Sequence, residues 1–121
     1  MQVMIVDDSR TFLASLEGVL TRLGHAVEKA ASGEEAITRL KGGLKPRVVI
    51  TDFNMGEMDG IAFIKQAKTL PGMAFTPMIL LTTESQQAKR DQARAAGAAG
   101  WLVKPVAPDA LAQVLNQLVP A

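Results

Sequence analysis

Apolar positions follow two alternating rhythms along this chain. Short, nearly unbroken apolar runs suit strands buried on both faces. Between them lie longer segments with an apolar residue every three or four positions, the spacing of one helix face. The first run predicts a strand over about Gln2–Val6, and Phe12, Leu13, Leu16, Val19, Leu20 and Leu23 then mark a helix that stops at Gly24. A second strand, about Ala26–Ala30, carries Glu28 and Lys29, which suits an edge position. Ser32 and Glu35 form a capping box for a second helix ending at Gly42-Gly43. The third strand is predicted over 48–51. A third helix starts near Gly60, uses Phe63, Ile64, Ala67 and Leu70, and stops at Pro71-Gly72. A fourth strand covers about Met78–Thr82, with Thr83 and Gln86 placed to cap a fourth helix that ends before Gly97. A short fifth strand over about Gly100–Val103 leads to a fifth helix after Pro108, marked by Leu111, Val114, Leu115 and Leu118.

Five βα units in strict alternation predict an α/β fold: a doubly wound parallel sheet covered by helices on both faces. The pattern holds no linker and no repeat. One element stands apart. From Glu84 to Gly100 there is no large apolar residue, only alanines among Gln, Lys, Arg and Asp. Alanine methyls contribute far less than leucine at roughly 25 cal/mol per Å² buried. Two readings of the fourth helix stand level: a weakly anchored element able to shift, or alanines that permit close packing on the sheet.

Composition narrows the chemistry. A chain of 121 residues with 48% hydrophobic content supports one ordinary domain with a real core. It contains no cysteine, so disulfides, thiol catalysis and thiolate metal sites are excluded. A net charge of +1 points to neither nucleic acid nor membrane. Lys41, Lys45 and Arg47 form a small basic cluster, read as a solvated face ahead of a binding patch. No apolar run approaches membrane-span length. The sequence opens directly on a strand without a signal peptide, so a cytoplasmic location is expected. His25, the one histidine, has no partner for catalysis or metal binding, and the six methionines read as core filler.

The candidate chemistry lies where strands end. Val3–Val6 runs into Asp7-Asp8, Val48–Thr51 into Asp52, and Gly100–Val103 into Lys104-Pro105. In an open parallel sheet the C-terminal strand ends share one edge, where ligands bind. An N-cap explains one aspartate after the first strand, but a second exceeds that need. Asp52 after a wholly apolar strand costs desolvation energy unless paired or metal-bound. Three carboxylates on one edge call for a hard divalent cation such as Mg²⁺. Lys104 opposite them is a natural phosphate partner, and Thr82 ends the fourth strand with a hydroxyl able to donate to a phosphoryl oxygen.

At these residues the chain resembles the receiver domain of two-component response regulators, and within them the small chemotaxis type. The matching positions are Val6-Asp7-Asp8-Ser9-Arg10, Asp52-Phe53-Asn54-Met55 with Asp59-Gly60, Leu81-Thr82 and Lys104-Pro105. The resemblance implies a (βα)5 flavodoxin-like sheet of strand order 2-1-3-4-5, with Asp52 as phosphoacceptor. It implies Mg²⁺ held by Asp7, Asp8, Asp52 and the carbonyl of Asn54. Lys104 would pair with the phosphoryl group, Thr82 would bond it, and Trp101 would change rotamer as Thr82 moves. It further implies a cis bond before Pro105 and a hydrolysis rate tuned by Asn54 and Glu84. The donor would be a histidine kinase or histidine phosphotransfer protein. The output would be a protein target on the face of helix four, strand five and helix five, with no direct nucleic-acid or membrane partner and a monomer that dimerises, if at all, on phosphorylation. Three positions depart from the family's usual pattern. Gly56 replaces a common proline, Thr83 a smaller residue, and Trp101 a Tyr or Phe.

Other readings compete. Asp52-Phe53-Asn54 resembles the nucleophile motif of haloacid-dehalogenase-like phosphatases, but the second acid and the cap are missing. A flavin mononucleotide carrier needs a Ser/Thr/Gly-rich phosphate loop where Asp7-Asp8 stands. A receiver-shaped interaction module that never uses phosphate leaves the acids, Thr82 and Lys104 unexplained. A separate effector has no room after the fifth helix, so either the chain acts through protein contacts alone or it is cut from something longer.

Overall fold

The structure, a computed structural model, describes residues 1–83 and 87–119. The elements run β1 Gln2–Val6, α1 Arg10–Arg22, β2 Ala26–Ala30, α2 Gly33–Lys41, β3 Val48–Asp52, α3 Gly60–Lys68, β4 Met78–Thr82, α4 Gln87–Ala96, β5 Gly100–Val103 and α5 Pro108–Leu118. The strands form one parallel sheet of order β2-β1-β3-β4-β5. This is the flavodoxin-like arrangement, with the topological switch between β1 and β3.

Side-chain alternation along the strands divides the core in two. Val3, Ile5, Val48, Ile50, Ile79 and Leu81 pack with α1 and α5 on one face. Met4, Val6, Val49, Met78 and Leu80 pack with α2, α3 and α4 on the other. The three central strands are apolar on both faces because both are covered, whereas β2 lies at an edge as its charges require. Glu28 and Lys29 reach outward there, Glu28 to Arg39 and Lys29 to Glu17.

Helix ends follow their capping residues. Ser9, Ser32 and Asp59 accept from the N–H groups of Phe12, Glu35 and Ala62 at the starts of α1, α2 and α3. The Glu35 carboxylate returns to the N–H of Ala31 at 3.0 Å, one residue before the expected capping-box partner. Gly24 follows the end of α1 at φ 93°, the left-handed conformation a glycine supplies there.

Three boundaries correct the sequence reading. Asp52 is the last residue of β3 rather than the first beyond it, because Asp52 pairs with Leu81 and the ladder continues to the N–H of Phe53. Helix α3 ends at Lys68, before Leu70 and Pro71: the Thr69 hydroxyl bonds back to the Gln66 carbonyl at 2.7 Å, and a residue preceding proline resists helical geometry. Helix α5 includes Pro108 as its first residue, with Ala107 before it. The proposed cap at Gln86 and the residue Glu84 lie outside the described residues. Helix α4 places Ala93 and Ala96 in the core against α3 and β5, and shows no larger aliphatic side chain there. Among the described residues, no helix is long and apolar enough to cross a membrane.

Candidate functional site

The parallel register brings the ends of β1, β3 and β5 to one edge. Asp7 follows β1 and is 2% exposed, Asp52 ends β3 and is 7% exposed, and Asp8 is exposed beside them. One carboxylate oxygen from each of Asp7, Asp8 and Asp52 lies within 4.8 Å of the others. Lys104, just past β5, crosses the gap left by β4: its Nζ is 2.9 Å from Asp7 Oδ2 and 3.0 Å from Asp52 Oδ1. One ammonium therefore serves two nearly buried carboxylates, and with Asp8 included two negative charges remain uncompensated when all are ionised.

Burial is the main force raising the Asp52 carboxyl above the ordinary aspartate value, and the neighbouring Asp7 charge adds to it; the Lys104 hydrogen bond opposes both. Burial acts on Lys104 in the opposite sense, toward a lower pKa. Its hydrogen bonds to Asp7 and Asp52 and their charges outweigh that, so Lys104 rises above the ordinary lysine value. Each group's hydrogen bond to the other favours its charged form.

The surrounding backbone fixes these side chains. Asp7 accepts the Ser9 N–H at 2.8 Å through Oδ1, leaving Oδ2 to Lys104. The Lys104 N–H donates to the Thr82 carbonyl at 2.8 Å, tying the end of β4 to the lysine. Thr82 itself is 1% exposed. The Lys104–Pro105 bond is cis. Gly60 sits so close to β3 that a Cβ there would meet the Asp52 carbonyl oxygen at 2.3 Å, and its N–H bonds to the Phe53 carbonyl at 2.8 Å. The loop between Asp52 and α3 is thus closed by a residue only glycine satisfies. Within it Gly56 has φ 87°, a conformation closed to proline, whose ring holds φ near about −65°.

Of the residues singled out from sequence, the structure gathers Asp7, Asp8, Asp52 and Lys104, with Thr82 on the intervening strand. Asn54 is exposed on the following loop, and Thr83 is exposed after β4. Trp101 is partly buried against the α2–α3–α4 side of the core, with the Arg90 guanidinium 5.8 Å from its ring centre. Its indole Nε1 is buried without a hydrogen-bond partner among the described residues. Two contacts were not read from sequence. The Phe12 ring lies 4.0 Å from Lys104 Nζ, and Lys89 of α4 lies 4.6 Å from the Phe53 ring centre. In the sequence Phe12 is one apolar position of the first helix; what marks it is its place in the first turn after the two acids.

A flavodoxin-like sheet carrying an acid triad and a lysine on its C-terminal edge places this cluster where open α/β sheets bind ligands. Residues 3–116 match the Response regulator receiver domain, and this chain belongs to that family. It is 36% identical over 120 residues to a chemotaxis protein CheY homolog of Campylobacter jejuni, covering 98% of this chain and 92% of the relative. It is 35% identical to chemotaxis protein CheY1 of Helicobacter pylori, over 96% and 94% of the two chains. Among solved structures, CheY4 of Vibrio cholerae superposes with a TM-score of 0.93 at 36% identity, covering 98% of each chain.

Proposed function

We propose that this protein is a cytoplasmic phosphoacceptor switch that takes a phosphoryl group on Asp52 and signals through protein contacts. The observation that carries the reading is the nearly buried Asp52 at a strand end, sharing Lys104 with Asp7 and grouped with Asp7 and Asp8 so that one carboxylate oxygen of each lies within 4.8 Å of the others. A donor set made only of oxygens with net negative charge fits Mg²⁺. Asp7, Asp8, Asp52 and the Asn54 carbonyl would hold it. When bound, the ion offsets carboxylate repulsion and the charge of the incoming phosphoryl group.

The chain's own residues supply the rest. An Asp52 oxygen attacks the phosphorus of a phosphohistidine on a kinase or phosphotransfer protein. The oxygen–phosphorus bond forms as the nitrogen–phosphorus bond breaks, and that electron pair stays with the imidazole. The Lys104 hydrogen bond favours the ionised form of Asp52, and its ammonium faces the phosphoryl oxygens, with Thr82 as a second donor. The acyl phosphate brings roughly −1.5 to −2 charge to this edge. Lys104 and Thr82 share a backbone bond, so attraction of either strains the β4–β5 ends, Trp101 and the shallowly anchored α4. The output is then a changed face of α4, β5 and α5. Asn54 and Glu84 tune loss of the phosphoryl group, and the protein turns over no separate substrate.

Intact mass after incubation with acetyl phosphate tests the reading. The expected result is a Mg²⁺-dependent gain of one phosphoryl group that disappears in Asp52→Ala. A folded protein that gains nothing in any condition sinks it and favours a receiver-shaped interaction module.

A further inference from the structure

The edge of the sheet opposite the acid triad carries a second distinctive surface. Phe75, in the segment between α3 and β4, is 97% exposed, whereas the other exposed large hydrophobic residues, Leu23 and Val103, are 41% and 38% exposed. Its segment is pinned in place. Met73 is 1% exposed in the core, Lys68 Nζ donates to the carbonyls of Ala74 and Thr76, and the Thr76 N–H bonds to the Met73 carbonyl at 3.2 Å. Phe75 is therefore displayed by an anchored turn. Beside it lies an open cleft of about 390 Å³ lined by Pro46, Arg47, Phe75, Thr76, Pro77 and Leu118.

Among the described residues, the charged side chains of the loops on this edge have one sign. The segments entering β2, β3, β4 and β5, residues 23–25, 42–47, 69–77 and 97–99, contain no Asp or Glu. They carry Lys45 and Arg47. Lys45 lies against Gly72 on the rim of the cleft, since a Cβ on Gly72 would meet its Nζ at 2.6 Å. Cations in the last turns of α2 and α3, such as Lys41 and Lys68, complement helix dipoles. Lys45 and Arg47 stand outside the helices. A displayed aromatic ring, a cleft beside it and a basic rim without acidic side chains among the described residues are the ingredients of a polar-rimmed protein interface.

We propose that the Phe75 cleft, remote from the acid triad, docks an acidic protein segment that inserts an apolar side chain beside Phe75 while its carboxylates meet Lys45 and Arg47. The cleft favours a side chain over a lipid surface, because a bilayer presents no protruding group to fill it.

The test selects random displayed peptides on the full chain, counter-selects on F75S and R47Q, and then measures the selected peptides by fluorescence anisotropy and NMR mapping. Expected sequences carry Asp or Glu around one aromatic or branched aliphatic residue. Their binding should weaken roughly tenfold or more in each variant, fall with added salt, and shift the amides of Thr76 and Leu118. Phe75 and Arg47 are exposed, so both variants should keep wild-type Tm and acetyl phosphate uptake, which separates this result from any failure of the Asp52 chemistry. Absence of enrichment, selected peptides without acidic bias, or peptides that tolerate both substitutions would overturn the proposal. So would Phe75-dependent co-sedimentation with phosphatidylserine vesicles, which would assign the surface to a membrane, or a Phe75-dependent dimer in sedimentation equilibrium, which would assign it to a second copy.

Discussion

Asp52 concentrates the cost of this site in one side chain. Its carboxyl is raised above 3.8 mainly by burial and then by Asp7. The folded state therefore holds a proton that the unfolded chain has released between 3.8 and the raised value. Stability from this group falls as pH rises through that window and stays lowered above it. Asp52→Asn removes the ionisation while Lys104 keeps Asp7 as its partner. The variant should melt a few degrees above wild type at neutral pH, with the gap closing as pH falls below the window; thermal melts at several pH values check both the gain and its closure. Lys104→Met does the reverse. It strands Asp7 and Asp52 without their shared cation, and breaking a nearly buried pair is expensive. Because the Lys104 side chain is 18% exposed, the expected loss is about 1–3 kcal/mol rather than the full cost of a buried pair. Urea denaturation at pH 7 measures it, and an unchanged midpoint would mean that Lys104 does not offset these charges.

Elements differ sharply in how deeply they are rooted. Helix α3 buries Ile61, Phe63, Ile64 and Ala67, and its first residue touches the end of β3. A methyl at Gly60 would strike backbone, which cannot yield as a flexible side chain would, so Gly60→Ala should cost about 1–3 kcal/mol by overpacking and disturb the Asp52 loop. Equilibrium denaturation gives the first quantity, and loss of phosphoryl uptake reports the second. Helix α4 places only alanine-sized aliphatic groups in the core among its described residues. Its amides should exchange with solvent through smaller openings than those of α3, which native-state hydrogen exchange resolves residue by residue; equal protection would remove α4 from the switching scheme. The sequence made these elements readable because burial on both sheet faces leaves unbroken apolar strands, and one-sided burial leaves helical spacing. It was less clear at ends such as Thr69, where a side-chain hydroxyl decides, and at Asp52, where the partner strand extends the ladder by one residue. Phe12 under Lys104 and Lys89 over Phe53 join positions far apart in the chain, and no local pattern encodes them.

Across the whole molecule, charge is sorted along the strand direction. Asp7, Asp8, Asp52, Glu57 and Asp59 lie at or just beyond the C-terminal strand edge, and the carboxylate-free basic segments lie at the other. Topology makes this sorting possible: parallel strands send every β-to-α connection to one end and every α-to-β connection to the other, so acids confined to the first set of loops meet at one edge. The acid positions could be read from sequence once parallel pairing was assumed, but their separation of within 4.8 Å depends on β1 and β3 being neighbours, which only the strand order supplies. An edge assembled this way exists in the folded chain alone, so a cation that binds it must stabilise the fold. The gain approaches about 2.7 kcal/mol when the ion stands at a hundred times its Kd. Asp8 is the informative residue for this coupling, since it is exposed and its neutralisation disturbs little packing. Thermal melts at constant ionic strength should show Tm rising with Mg²⁺ in wild type and rising much less in Asp8→Asn, although Asp8→Asn without Mg²⁺ should melt at or above wild type because one repelling charge has gone. Equal Mg²⁺ responses in the two proteins would place the ion elsewhere, and a wild-type Tm indifferent to Mg²⁺ would mean that Lys104 alone suffices to hold the three acids together.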